Sequence, residues 1–502
     1  MSARGPVVVV VGGGITGLSA ARVLLKGSPS GGDRRGATPT ERTRAAHEPA
    51  EVVVLEASPR LGGKIATSDL GGHLVDLGPD NFLTADPAAE RLCWALGLGD
   101  ELESPARGSA TIRSRGRFHR LPAGLVLGVP SDLGALFSSS LLSRPGAARA
   151  GLDLLLPRMS CPKADPTVAE VLQPRLGREI LDRLVDPILG GINAGSIDSL
   201  SFSETMARVA TATRGERSVM LALSRARQAS LLTGAQPRFI GLRTGMERLV
   251  DALAAELRAN SSSRIETSAR VSSVSRSSEK FLVHYTDGRT GATSTLLADG
   301  VVFAAPPAEA GAVLANLDSG LASDLRAIPS ASVAVAGLVW PAAKLAPRTT
   351  TGFLVPRVEG GLLTAVTFTS TKWPGRHDAS KTVLRGFVGR FGDERHQERD
   401  DDTLLAEIEE ELAAMLHISS PPTARVLQRW QFGLPQYLSG HARRVATIRA
   451  RAAAIGVEVA GAGVDGLGIP ACIAAGERAG LSLARRLGSF PATGTGDGAQ
   501  AG

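Results

Sequence analysis

Five consecutive valines, Val7–Val11, run straight into Gly12, Gly13 and Gly14, and apolar positions then recur with helical spacing from Leu18 to Leu25. An unbroken β-branched run is the pattern of a parallel strand buried on both faces. The stretch predicts strand, glycine turn and helix, the first half of a dinucleotide-binding βαβ unit. Gly12, Gly14 and Gly17 fit G-x-G-x-x-G, with Gly13, Ile15 and Thr16 between them. The turn demands unusual backbone angles, and a Cβ would hold a pyrophosphate away from the amides of the helix N-terminus.

A second strand, Glu51 to Leu55, ends in Glu56, an acidic residue placed to accept ribose hydroxyls. Residues 27–50 separate it from the first helix. They are rich in Gly, Pro, Ser and charge and are expected to be a disordered insertion. After Glu56 and Ala57, the residues Arg60, Gly62, Gly63 and Lys64 form a second glycine turn with two cations. NAD enzymes generally lack that element, so the reading moves from NAD to FAD. A third piece, Val457–Leu487, reads as strand, turn and helix. Gly466, Leu467 and Gly468 make a tight approach, and Ile469 and Pro470 open the helix. A helix N-terminus there would favour negative charge on a reduced flavin ring.

The 502 residues point to more than one domain, and 43% hydrophobic content is ample for a large core. The net charge of +7 is spread along the chain rather than blocked, and aromatics are only 4%. That pattern excludes a nucleic-acid stacking platform and suits an anionic cofactor and substrate. Only seven of the 56 basic residues are Lys, a bias of G+C-rich bacterial genomes. Cys93, Cys161 and Cys472 are too dispersed for disulfides or zinc, and the histidines show no metal-ligand pair, so no metal is expected. Cys472 reads as a core cysteine, with a redox thiol as the other reading. The expected compartment is cytoplasmic. No signal peptide or spanning helix is read, since glycines and prolines break the apolar stretches. Residues 121–156 read as helical core, with a face resting on a membrane as the other reading.

The predicted fold class is mixed α/β: a Rossmann-like FAD-binding domain with a sheet-based substrate domain and a helical subdomain. The FAD-binding domain would comprise residues 1–87, 237–307 and 442–490. The helical subdomain would span 88–236 and the substrate-binding domain 308–441. Residues 491–502 would be a disordered tail. Within the substrate domain, Asp400 to Met415 reads as an N-capped helix with Leu404, Leu405, Ile408, Leu412 and Met415 on one face.

Narrower motifs join these. They are VVGGGITGLSAA, LEASPRLGGKI, GGHLVDLGPDNFL, GGINAGSIDSLS, FIGLRTGMERL, TSTKWPGR, RWQFGLPQY with Gly440-His441, and VDGLGIPACIAAG. Together they resemble the oxygen-dependent protoporphyrinogen/coproporphyrinogen oxidase family of the flavin amine oxidase superfamily, in its bacterial branch, over nearly the full length. The resemblance implies FAD, held non-covalently. Gly12 to Gly17 would hold its pyrophosphate, Glu56 with Ala57 its ribose, and Arg60, Gly63 and Lys64 its phosphates. Gly78, Pro79, Asp80 and Asn81 would pass beside the flavin, Val271 would meet the adenine through its backbone, and Trp430 would sit near the cofactor. Gly466, Leu467, Gly468, Ile469 and Pro470 would wrap the isoalloxazine edge. Flavin N5 would be the hydride acceptor.

The implied substrate is a porphyrinogen, oxidised in three two-electron steps by dioxygen with release of hydrogen peroxide, in haem biosynthesis. Coproporphyrinogen III is favoured, with protoporphyrinogen IX as the alternative. A basic residue that some relatives carry after G-P-x-x-F-L is replaced here by Thr84, Ala85 and Asp86. Lys372 and Arg376 are the candidate propionate partners instead. The next haem-pathway enzyme would be a partner, and membrane contact would be peripheral. Amine oxidation and carotenoid desaturation use the same scaffold. Against an amine cage stand only two tyrosines, Tyr285 and Tyr437.

Overall fold

The structure, a computed structural model, describes residues 5–26, 50–106, 108–158, 163–232, 238–345 and 349–488. The insertion at 27–49, the tail at 491–502 and Cys161 lie outside the described residues. The chain forms two compact units. The first gathers the residues up to Gly63, Leu249–Ala327 and those from Ala446 onward; the second gathers Lys64–Arg248 and Ile328–Val445.

The first unit is built on a five-stranded parallel sheet. Its order is Ser263–Glu266, Glu51–Leu55, Val7–Val11, Gly300–Phe303 and Glu458–Val459. Val7–Val11 lies in the middle, which is why both of its faces are apolar: Val8, Val9 and Val10 are wholly buried. An antiparallel sheet of Ala269–Ser277, Lys280–Asp287 and Thr293–Ala298 follows as a meander. The helices Ile15–Lys26 and Ile469–Arg486 cross at very close range. A Cβ on Gly476 would lie 2.1 Å from the Thr16 carbonyl oxygen, and one on Gly480 would lie 2.8 Å from that of Ala20.

The second unit carries a seven-stranded sheet in the order Ala424–Pro435, Ser330–Pro341, Lys381–Val388, Leu363–Phe368, Gly352–Leu354, Thr111–Ser114 and Arg117–Arg120. Helix Asp401–Leu416 covers one side. Leu404, Leu405, Ile408 and Leu412 are buried as the spacing predicts, and Leu416, rather than the half-buried Met415, completes the stripe. Asp400 caps this helix by accepting from Thr403 N at 2.8 Å.

The expected boundaries differ from these units, by four residues at 442–445 and by more elsewhere. Residues 64–87 and 237–248 fall in the second unit, where Phe82–Leu83 pairs with Phe239–Leu242. Residues 308–327 fall in the first. The stretch 88–236 is mostly helical around one apolar core, yet its hairpin 111–120 belongs to the seven-stranded sheet. The face at 121–156 splits: Leu136, Leu141 and Leu142 are buried in that core, whereas Phe137, Leu152 and Leu155 are exposed.

Buried His441 and half-buried His377 make stability pH-dependent. His441 stacks on Tyr437, ring centroids 4.3 Å apart, and burial with the nearby Arg444 charge pushes its pKa down to about 4. His377 is pushed to about 4 by burial, His73 and Arg376. Both are neutral when folded but protonate near pH 6.5 when unfolded. Their contribution is therefore complete above pH 6.5 and is lost as pH falls toward 4, by on the order of 2 kcal/mol each. Thermal melts between pH 7.5 and 4.5 should show this decline, and His441→Phe, which keeps the ring stack, should flatten it. An unchanged slope in that variant would assign the effect elsewhere.

Candidate functional site

In the first unit the two glycine turns meet. Gly14 and Gly62 form a parallel bridge, and the Gly62 amide donates to the Gly13 carbonyl at 2.9 Å. The glycines of the first turn serve different ends. A Cβ on Gly17 would sit 1.9 Å from the Gly12 carbonyl oxygen. One on Gly12, at φ +108°, would sit 2.8 Å from the Ala304 oxygen, and one on Gly13 would sit 2.6 Å from Leu61 Cδ2. These three are required by the protein's own packing. Gly14 is not: its nearest neighbour would be Gly63 Cα at 3.9 Å. Gly63, at φ +57°, faces it, and a Cβ there would approach only Gly14 Cα, at 3.4 Å. The two turns leave a cradle lined by backbone, at the start of helix Ile15–Lys26, that a side chain at position 14 would fill. Such a cradle fits a pyrophosphate.

Glu56 closes the cradle from the adjacent strand. Its Oε2 accepts from Gly13 N at 2.6 Å and its Oε1 from Ser58 N at 2.8 Å. A carboxylate has about four lone-pair sites, so both oxygens can still accept from a ribose. Arg60 donates to the carbonyls of Leu61 and Gly63, bracing the second turn. Val271 lies on the strand Ala269–Ser277, whose first residue donates its amide to the Glu56 carbonyl oxygen at 2.8 Å, and a bulge follows it between Val271 and Ser273. Gly466 and Gly468 have φ +121° and +108°, which L side chains rarely adopt. The helix begins at Ile469, so Pro470 is its second residue rather than its first. Cys472 is half-buried, with Sγ 3.9 Å from the Gly466 carbonyl oxygen.

The second unit holds the remaining predicted residues. Lys64 begins it, and a Cβ on Gly78 would lie 1.9 Å from the Lys64 carbonyl oxygen. Trp430 Nε1 donates to Leu77 O at 2.8 Å, so Trp430 braces the Gly78–Asn81 segment. Asp80 is buried and accepts from Lys372 Nζ at 2.8 and 2.9 Å, Trp373 Nε1 at 3.1 Å and Asn81 Nδ2 at 2.7 Å. Arg385 Nη1 lies 3.0 Å from Asp80 Oδ2.

Lys372 and Arg376, the candidate propionate partners, carry ion pairs within the second unit. Both are paired inside the protein, Lys372 half-buried and Arg376 with its side chain only 5% exposed. Lys372 binds Asp80, while Arg376 binds Glu103, lies 3.5 Å from Asp76 and stacks 3.9 Å over the Trp373 ring. Internal carboxylates occupy the charges expected to meet propionates. Sequence reasoning missed Arg385, Trp373 and Glu103. The available sign for Arg385 was a charge in the middle of the apolar run TVLRGFV, all but impossible to bury unpaired. The two tyrosines are otherwise engaged: Tyr285 pairs within the meander of the first unit, and Tyr437 stacks on His441 in the second.

The sequence pattern of the flavin containing amine oxidoreductase family matches residues 15–480. The chain belongs to that family. It is a flavin oxidoreductase of the haem-biosynthesis branch of the amine oxidases. It is 33% identical over 479 residues to the coproporphyrinogen III oxidase of Bacillus subtilis, covering 94% of this chain and 96% of that protein. It is 29% identical to the protoporphyrinogen oxidase of Bos taurus, over 97% of this chain and 99% of that one. The crystal structure of a putative protoporphyrinogen oxidase from Exiguobacterium superposes with a TM-score of 0.83 at 28% identity, covering 97% of this chain and all of that one.

Proposed function

We propose that this chain binds FAD non-covalently and oxidises coproporphyrinogen III to coproporphyrin III in three two-electron steps with dioxygen, giving hydrogen peroxide. The observation that carries the reading is the near full-length match to the coproporphyrinogen III oxidase of Bacillus subtilis. The Gly14 cradle supports the cofactor part. The backbone of Gly12–Gly17 would take the pyrophosphate and Glu56 with Ala57 the ribose. Arg60 and Gly63 would meet phosphate charge. Val271 would meet the adenine. Gly466–Pro470 would border the flavin ring. Flavin supplies a hydride acceptor when bound. The protein's own work is orientation and exclusion of water, because aromatisation of the tetrapyrrole provides driving force.

Aerobic turnover of coproporphyrinogen III and protoporphyrinogen IX, read side by side by porphyrin fluorescence, tests the substrate. The expected result is a kcat/KM at least roughly tenfold higher for coproporphyrinogen. Each propionate meeting a cation contributes about 1.5–3 kcal/mol, and about 1.4 kcal/mol is a factor of ten. Equal values would reject the specificity, and a preference for protoporphyrinogen would favour the bovine relative's reaction. Acid denaturation should release all flavin into the supernatant; flavin retained on the precipitate would reject non-covalent binding.

No helix among the described residues is long and apolar enough to cross a membrane. The expected location is the cytoplasm, with peripheral membrane contact through exposed Phe137, Leu152, Leu155 and Leu221. Co-sedimentation with anionic vesicles, lost in Phe137→Ser/Leu155→Ser, checks it; no sedimentation of the wild type rejects it.

A further inference from the structure

Within the first unit, a second loop leaves the parallel sheet at the same end as the cradle. Gly12–Gly14 follow the strand Val7–Val11, and residues 460–468 follow the edge strand Glu458–Val459, which runs parallel to it. In an open parallel sheet, the carboxyl ends of the strands are where a nucleotide binds. Two contacts seat the loop there. A Cβ on Gly461 would lie 3.6 Å from Thr16 Oγ1, and one on Gly463 would lie 2.2 Å from Pro307 Cγ. Pro307 opens the helix that follows Ala304, whose carbonyl oxygen packs against Gly12. The loop thus rests on the start of helix Ile15–Lys26 and on the segment that packs against Gly12.

One side chain holds this loop in shape. Asp465 Oδ2 accepts from Gly461 N at 2.9 Å, closing the loop on itself. Its Oδ1 accepts from Arg449 Nη2 at 2.9 Å and from Arg478 Nη2. Arg449 also donates to the Val464 carbonyl at 3.1 Å. Arg449 comes from helix His441–Ile455 and Arg478 from helix Ile469–Arg486, so two helices are fastened to one carboxylate. The Asp465 side chain is only 4% exposed, whereas both arginines are 58% exposed. Exposed partners of this kind add little to global stability. Their effect is local: together with Asp465 they fix the amide of Gly461 and the carbonyl of Val464, where the loop meets Thr16.

We propose that Asp465 is a positioning residue for the cofactor: with Arg449 and Arg478 it holds residues 461–468 in a preformed shape beside the cradle. The proposal rests on the reading that the Gly14 cradle takes the cofactor's pyrophosphate. Ordering a loop at the moment of binding costs conformational entropy, and a loop ordered beforehand spares the ligand that cost. Loss of the carboxylate therefore weakens cofactor retention without removing any group of the cradle.

The test is the dissociation constant of FAD, read from the flavin that passes an ultrafiltration membrane as the holoenzyme is diluted. Asp465→Ala should raise it by about tenfold or more, the scale of one charge-assisted hydrogen bond lost. Asp465→Asn can still accept from Gly461 N and should fall between Asp465→Ala and the wild type. Arg449→Met should raise the constant by a smaller factor, and Arg449→Lys, which keeps the charge and a donor, should recover most of that loss. Arg451→Met is the control. It removes exposed pairs with Asp318 and Asp324 from the same helix as Arg449 and should leave the constant unchanged. An equal rise in Arg451→Met would assign the effect to general loosening and overturn the positioning role, as would unchanged retention in Asp465→Ala. If Asp465→Ala does not fold, Arg449→Met/Arg478→Met carries the test against Arg451→Met by the same criterion. Wild-type protein that neither purifies with FAD nor takes it up would instead overturn the cradle reading, and the role of Asp465 with it.

Discussion

Gly14→Ala is expected to fold as the wild type does and to purify without flavin. The new methyl would meet nothing in the protein closer than Gly63 Cα at 3.9 Å, so packing is not disturbed. It would occupy the space in which a pyrophosphate must approach the helix N-terminus. Gly17→Ala separates packing from binding. Its methyl would lie 1.9 Å from a backbone oxygen, which no rotamer relieves, and this variant should lose the fold itself. Thermal melts and the ratio of flavin to protein absorbance, measured on both variants, decide the matter. Normal flavin content in Gly14→Ala would refute the cradle.

The second large effect concerns stability. Asp153 is wholly buried, and its Oδ1 accepts from Arg175 Nε at 2.7 Å. Its Oδ2 accepts from Ser218 Oγ at 2.6 Å and Met220 N at 3.0 Å. Arg175 in turn donates to the carbonyls of Asp153 and Pro157. One carboxylate and one guanidinium thus satisfy the loop and helix ends of the helical layer. Asp153→Ala strands a buried guanidinium and two further donors, and should cost about 3–5 kcal/mol in urea denaturation. Glu216→Ala is the contrasting case. Its pair with Arg225 is largely exposed, and its loss should cost no more than about 1 kcal/mol. Equal costs for the two would mean that burial does not set the value of these pairs.

Local features of the nucleotide unit were legible because their physics is local. The valine run, the glycine turns and the acidic strand end each report a short-range requirement, and residues 7–17 and 51–63 adopt the expected form. Features that depend on distant partners were not. The hairpin 111–120 falls in a stretch read only as helical, since the strand it joins, Gly352–Leu354, lies some 240 residues later. Lys372 and Arg376 looked available because Asp80, Asp76 and Glu103 are far away in sequence. Residues 64–87 looked like a continuation of the glycine turns, but Thr67 and Asp76 hydrogen-bond to Glu247 and Met246, which places the stretch in the second unit.

The close crossing of helices Ile15–Lys26 and Ile469–Arg486 has a consequence for biosynthesis. The central strand Val7–Val11 emerges from the ribosome early, but one of its neighbours, Gly300–Phe303, comes far later, and the glycine-faced helix that covers Thr16 and Ala20 later still. At roughly 5–20 residues per second, the first strand and helix wait tens of seconds before their packing partners exist. Through that interval a flat apolar strand is without its permanent cover, the condition in which chains associate wrongly. Production of this protein should therefore respond to chaperone supply and growth temperature more than to the availability of its cofactor.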